Sequence, residues 1–287
     1  MALGLKIILF IVLLLIVGLG SAIWIGSAVW NRSTSQLVDR LTRTSRGETE
    51  TVFSFKELDG LPAPVERYFS LVLKEGQPLI RLVRLVQTGE FRIGKSDDVW
   101  RRLEATQHFS TGSTGFVWEA RIQMAPLMTV RIRDAYIDGH GSMQGKLLSL
   151  ATVIDEHGKA ELNAGALQRY LAEAVWFPTA LLPSQGVQWS EIDDSTALAT
   201  LTDFDNTVSL EFRFDETGQI TGVYTPGRYR EVDGRYELTP WAGYFRRYEE
   251  RDGMRIPVEG NVEWQLPDGS LPYWKGRIVE IEYDFKR

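Results

Sequence analysis

The residues best placed to do chemistry in this chain crowd one stretch, Arg169-Tyr-Leu-Ala-Glu-Ala-Val-Trp-Phe-Pro178. Arg169 and Glu173 stand four apart, so on a helix they can pair along one face. On a wet surface such a pair adds only tenths of a kcal/mol. At a cavity mouth the lower dielectric would strengthen it and let it orient a polar head group. Trp176 and Phe177, beside Pro178, would then form an aromatic rim. Asp134 is the second candidate. In Val130-Arg-Ile-Arg-Asp-Ala-Tyr136, strict alternation points it to the same side as Val130 and Ile132. A carboxylate on a dry face needs a partner, and an arginine from a neighbouring strand, such as Arg228, is the natural one. A structural salt bridge is the favoured role there, ahead of a catalytic acid. Trp118, Tyr136, Trp241 and Trp264 complete the residues expected to line a ligand site.

Other chemistries find little footing. His108, His140 and His157 are scattered, and the chain has no cysteine, so neither a metal site nor a thiol nucleophile is expected. No GxSxG elbow and no glycine-rich phosphate loop occurs, and no cofactor is expected. Asp193-Asp194 reads as a turn and His140, between two glycines, as a loop residue. The net charge of −6 and pI near 5.3 argue against a nucleic-acid partner, which needs clustered positive charge.

What must position these residues is mostly sheet. From Leu79 onward the apolar period is two: Phe116, Trp118, Ala120 and Ile122, then Val208, Leu210, Phe212 and Phe214, then Val258, Val262, Trp264 and Leu266, then Val279, Ile281, Tyr283 and Phe285. One wet and one dry face is the pattern of antiparallel strands. Turn signals at Asp215-Glu-Thr-Gly218, Asp233-Gly234, Asp252-Gly253 and Asp268-Gly269 separate the runs, giving about ten or eleven strands. Two helices interrupt them. Val65 to Lys74 places Val65, Tyr68, Phe69 and Val72 on one face, and Ala164 to Trp176 carries a Leu167, Tyr170, Leu171, Ala174 stripe before Pro178 ends it. Thr179 to Leu182 can add one more turn. A large dry sheet face has to close on itself or be covered. The expected domain, residues 61–287, is therefore mainly β (α+β): a curved, open antiparallel half-barrel around a helical plug.

Before it, Ile7 to Trp30 forms 24 residues without a charge, about 36 Å of helix, enough to cross a ~30 Å hydrocarbon core. A secretory signal has an apolar core of only 7–15 residues, so an uncleaved single-pass anchor at 1–30 is expected, with Trp24 and Trp30 at the interface. Residues 31–60 read as a juxtamembrane linker, although Leu37, Val38 and Leu41 recur at helical spacing. Arg32, Arg40, Arg43 and Arg46 outnumber Lys6, which by the positive-inside rule favours a cytoplasmic domain. Long trailing domains can be translocated regardless of that bias.

Several segments together resemble an uncharacterised bacterial family known only as a domain of unknown function. They are Leu61-Pro-Ala-Pro-Val-Glu-Arg-Tyr-Phe69, Gly115-Phe-Val-Trp118, Arg133-Asp-Ala-Tyr136, Arg169-Tyr-Leu-Ala-Glu-Ala-Val-Trp-Phe-Pro-Thr-Ala-Leu-Leu-Pro183, Pro240-Trp241 and Tyr273-Trp274. That resemblance brings no activity with it. The expected architecture is also similar to the open half-barrel of periplasmic lipoprotein carriers and related mycobacterial lipid-binding lipoproteins, which implies a cavity for an apolar ligand. A retained anchor departs from that pattern. The first expectation is thus a non-enzymatic binding or carrier protein for a lipid or other amphiphile, tethered to the cytoplasmic membrane with its domain on the extracytoplasmic side. The alternatives are a structural or assembly partner with a filled core, or a hydrolase using carboxylates such as Asp134 or Glu173.

Overall fold

A computed structural model of the 287-residue chain describes residues 2–43, 51–92 and 99–286. Within them the period-two runs form one antiparallel sheet of thirteen strands. They are β1 (Ile80–Arg92), β2 (Trp100–Ser110), β3 (Gly115–Ala125), β4 (Met128–Ile137), β5 (His140–Leu147), β6 (Ala151–His157), β7 (Val187–Asp193), β8 (Thr196–Asp203), β9 (Asn206–Phe214), β10 (Ile220–Val232), β11 (Arg235–Arg251), β12 (Met254–Leu266) and β13 (Gly269–Phe285). The expected ten or eleven strands fall short because the outermost pieces hide. β6 and β7 are edge strands whose residues are mostly exposed, so they show no alternation of burial.

The order is β6-β5-β4-β3-β2-β1-β13-β12-β11-β10-β9-β8-β7. The first and last strands pair at the centre, through Leu85 opposite Ile281 and Gly89 opposite Gly276. Every other neighbour is a sequential hairpin, and the sheet curls until the β4–β5 turn meets the β8–β9 turn. Between β6 and β7 the chain runs through the plug. Helix α3 (Ala160–Glu173) is followed by 3-10 turns at Ala174–Trp176, Pro178–Leu181 and Pro183–Gln185, each proline setting φ for the turn it begins. The helix starts four residues before the apolar stripe suggests, and its first turn lies against β5. There a Cβ on Gly141 would fall 2.6 Å from the Leu162 carbonyl oxygen, so only glycine fits. Across the gap, Tyr136 donates to Asp203 at 2.8 Å and Asn206 donates to the Gly139 carbonyl at 2.9 Å, tying the β4–β5 turn to the β8–β9 turn.

Two further helices border the sheet. In the order of the chain, α1 spans Ala2–Arg43 and α2 spans Ala63–Val72. Val65, Tyr68, Phe69 and Val72 of α2 are buried, as their spacing predicts. The expected linker at 31–60 is largely ordered. Helix α1 continues unbroken to Arg43, and its second half packs on the outer face of the sheet, where Leu41 joins Val117, Ala135 and Ile137. Residues 44–50 of that linker lie outside the described residues. Trp30 is not an interfacial residue. It is 3% exposed, donates to Glu119 at 3.0 Å and lies 4.6 Å beneath the Arg133 guanidinium. Arg133 also donates to Ser33 and Thr34, which accounts for charged residues on a half-covered outer face. From Leu3 to Leu19 the large apolar side chains of the helix are exposed. By length and composition this N-terminal helix suits a transmembrane anchor or a signal sequence.

Candidate functional site

The concave face of the sheet is packed at one end and hollow at the other. Under α2 and the 3-10 turns it is filled with rings: Phe109 meets Phe177 at 4.4 Å, Trp189 meets Phe212 at 5.2 Å, and Tyr68 meets Phe214 at 6.0 Å. Beyond the C-terminal end of α3 the filling stops. A cavity of about 650 Å³ opens there, walled by β1, β3–β6 and β10–β13.

The cavity is graded in polarity. Along β4, Met128 and Val130 lead to Ile132 and then Asp134. Six residues of strand, about 20 Å, separate the apolar start from the carboxylate. Met124, Met128 and Met143 all line the wall, three of the five methionines of the chain, and their flexible thioethers adapt to irregular apolar shapes. At the plug end, charged groups converge. Arg169 binds Asp134 at 2.7 Å through Nη1 and Glu173 at 2.9 Å through Nε, while its guanidinium covers the rings of Trp118 and Phe116 at 4.7 and 5.1 Å. Burial opposes the Arg169 charge, but Glu173 and Asp134 outweigh it and hold its pKa above the ordinary arginine value. Burial pushes the Glu173 carboxyl up, against the opposing pull of Arg169 and of Gln107, which donates to it at 2.7 Å.

Arg228 stands apart within this cluster. It lies 5.0 Å over the Trp241 ring, burial lowers its pKa, and its buried Nη1 has no hydrogen-bond partner. The expectation that Arg228 partners Asp134 is corrected: Arg169 takes that carboxylate. Arg228 is on β10, across the concavity from β4, and not on a neighbouring strand. A β-bulge is what turns it inward. Thr225 faces Trp241 and Arg228 faces Thr239, so Pro226-Gly227 places one extra residue on β10. Without that residue, alternation from Val223 and Thr225 would point Arg228 outward.

The structure therefore gathers Trp118, Asp134, Arg169, Glu173, Trp176, Arg228 and Trp241 at one cavity. Three expected residues stand elsewhere. Tyr136 is fully buried and held by Asp203. Phe177 is buried in the packed end between Phe109 and Tyr170, so it forms no rim. Trp264 stacks on Tyr273 at 5.8 Å and backs the wall from the turn side. Trp176 lines the cavity but is only 2% exposed, wedged against Phe245 and Trp274, and so is not at an open edge.

Sequence reasoning passed over Gln87 and Gln107, both inward on dry strands. Gln87 accepts from the Trp118 indole at 3.0 Å, and Gln107 donates to Glu173. The signal was present: each is the polar member of an inward series, Val83-Leu85-Gln87 and Leu103-Ala105-Gln107. Alternation admits only one of the consecutive residues Tyr273 and Trp274 to the inner face, yet both line the cavity. A second bulge explains both, since Val262 faces Trp274 while Glu263 faces Pro272, leaving Tyr273 as the extra residue. Its hydroxyl accepts from the Trp241 indole at 2.9 Å.

A family described as of unknown function, DUF6920, matches residues 59–283, which hold both α2 and α3, the sheet up to the last two residues of β13, and every residue of the cavity. The chain belongs to that family. Among solved structures, the chain is similar to a LolA superfamily protein from Nitrosomonas europaea, at 11% identity and a TM-score of 0.43, covering 78% of this chain and 94% of that one. It is also similar to a beta-barrel-like protein of a domain of unknown function, DUF1849, from Brucella abortus, at 9% identity and a TM-score of 0.25, covering 72% and 99%. No curated protein matches.

Proposed function

We propose that this protein binds one amphiphile in the hollow end of its sheet, with a polar and anionic head at the plug and an apolar chain along β4 and β5. The observation that carries this reading is Arg228, a half-buried arginine whose buried Nη1 has no hydrogen-bond partner, at the head of an apolar cavity of about 650 Å³. That volume is in the range of sites that enclose small organic ligands, ~300–1,000 Å³. A buried unpaired donor costs about 1–3 kcal/mol, more when charged, and a carboxylate or phosphate head would relieve it with paired hydrogen bonds.

The filled-core alternative does not account for the empty volume. The carboxylates of the hydrolase alternative do converge, but Asp134 and Glu173 are both engaged by Arg169. That arrangement suits a cluster that fixes a guanidinium over Trp118 better than an acid and base poised for proton transfer. The carrier reading also takes residues 1–30 as a retained anchor in the cytoplasmic membrane and places the domain on the extracytoplasmic side. C-terminal alkaline phosphatase and green fluorescent protein fusions test the side, and fluorescence without phosphatase activity refutes it.

The binding test is mass spectrometry of organic extracts from the detergent-purified full chain. Wild type is expected to carry an anionic amphiphile near one per chain, and Arg228→Gln to lose most of it while melting at a similar temperature. An extract with no amphiphile above the level of an unrelated membrane protein refutes the reading.

A further inference from the structure

The end of the sheet that bears the apolar part of the cavity also bears apolar side chains that a turn in water would not carry. Leu127, in the β3–β4 turn, is 95% exposed, and Met128, Leu150 and Val153 beside it are exposed as well. Leu127 holds a φ of 63, a left-handed backbone that favours glycine or asparagine, so the position keeps a leucine where a small polar residue would fit the backbone better. Strand pairing sets these turns side by side. Val130 faces Leu147 across β4 and β5, and Leu147 faces Ala151 across β5 and β6. Met128 and Val153 belong to the cavity lining too, so the exposed patch and the cavity are continuous.

Helix α1 reaches the sheet at this same place. A Cβ on Gly26 would fall 2.5 Å from the Ser149 carbonyl oxygen and 3.1 Å from Leu150 Cδ2, and the Ser27 and Ser149 hydroxyls lie 3.1 Å apart. Two residues earlier, about 3 Å along the axis, Trp24 is 74% exposed, the position and residue type of an interfacial anchor. From Leu3 to Trp24 the helix measures about 33 Å at 1.5 Å per residue, which matches the hydrocarbon core of a bilayer. The helix would therefore leave the membrane at the level of the Leu150 turn.

We propose that this rim sits in the bilayer surface, with Leu127, Met128, Leu150 and Val153 immersed, so that the cavity exchanges its ligand with the adjacent leaflet without passage through water. The occupant of the patch is the lipid bilayer. A protein partner would have no reason to share the plane in which α1 emerges. The turns on the opposite side of the same end carry exposed Asp233 and Asp268, which confines the contact to the α1 side. The inference rests on α1 as a membrane span and deepens the binding reading by assigning the source of the ligand.

The absence of native cysteine allows single-site labelling of the full chain. Leu127→Cys and Leu150→Cys, each carrying an environment-sensitive fluorophore, are reconstituted into phosphatidylcholine vesicles containing nitroxide-bearing lipid. Phe204→Cys is the reference, because Phe204 is 66% exposed and packs on the β4–β5 turn, at the far end of β4 from Leu127. Quenching several-fold stronger at both rim sites than at Phe204 is expected. Equal quenching at the three sites, or failure of the mature chain to retain α1 and enter vesicles, overturns the proposal. Lipid content measured on the same preparations separates the two readings. A quenched rim without bound amphiphile removes the binding function alone, and a bound amphiphile with an unquenched rim removes the membrane contact alone.

Discussion

The two ends of the concave face use the same kinds of residue to opposite effect. At the packed end, rings from α2, the plug and the sheet interlock, with Phe109, Tyr170 and Phe177 within 4.4 to 6.2 Å of one another. At the hollow end, Trp118, Trp176, Trp241 and Trp274 border a cavity of about 650 Å³ instead of interlocking across it. The difference comes from the plug. α3 and its 3-10 turns run toward the α2 side, so no helix supplies side chains to the far half of the sheet. The polar groups follow the same division. Charged residues gather where the plug ends, beside Gln87 and Gln107, and the far wall is left to methionine and branched aliphatic side chains. Aromatic weight in a sequence is thus silent about filling; the reach of the covering helix decides it.

The comparison makes graded predictions. The largest effect is expected at the packed end, where Phe177→Ala removes a fully buried ring and should cost about 3–5 kcal/mol in chemical denaturation. Trp176→Ala should cost less than that range, because the wall around it can relax into the cavity it borders, and should abolish amphiphile retention. A collapse as severe as that of Phe177→Ala would place Trp176 in the packed end and blur the division. Overpacking sharpens the contrast further. Leu210→Phe at the packed end should lose about 1–3 kcal/mol, whereas Met143→Trp should leave the melting temperature nearly unchanged, since the cavity has room for the added ring. Equal losses in the two variants would mean the hollow end is not hollow in solution.

The smallest effect concerns Glu173. Its folded pKa stands above the ordinary 4.5 because burial disfavours the carboxylate, so its stabilising contribution is in place when protonated. That contribution fades as pH rises from near 4.5 through the folded value. The melting temperature of wild type should therefore fall relative to Glu173→Gln across that window, and a parallel pair of curves would remove Glu173 as the cause.

Much of the packed end could be read from spacing alone. Val65, Tyr68, Phe69 and Val72 fall on one helical face and are buried, and the Phe212-Phe214 alternation survives as β9. The cavity was legible only in part. Asp134, Trp118 and Trp241 follow strict alternation and arrive where it puts them. Arg228 and the Tyr273-Trp274 pair reach the cavity through bulges, and one extra residue reverses the face of all that follow. Pro226-Gly227 and Pro272 mark both bulges, but a proline in a strand tells where pairing is interrupted and not which side chain is re-aimed. Arg169 as the partner of Asp134 was hidden for another reason: it requires knowing that α3 crosses inside the sheet above β4. Trp30 misled because a tryptophan at the end of an apolar run looks the same whether lipid or an arginine pair receives it.

Native mass spectrometry of the gently extracted full chain, wild type beside Met143→Trp, tests the central claim most directly. The account predicts a single amphiphile adduct on wild type that is absent from a folded Met143→Trp. The absence of any adduct, or the same adduct on both proteins, would contradict it.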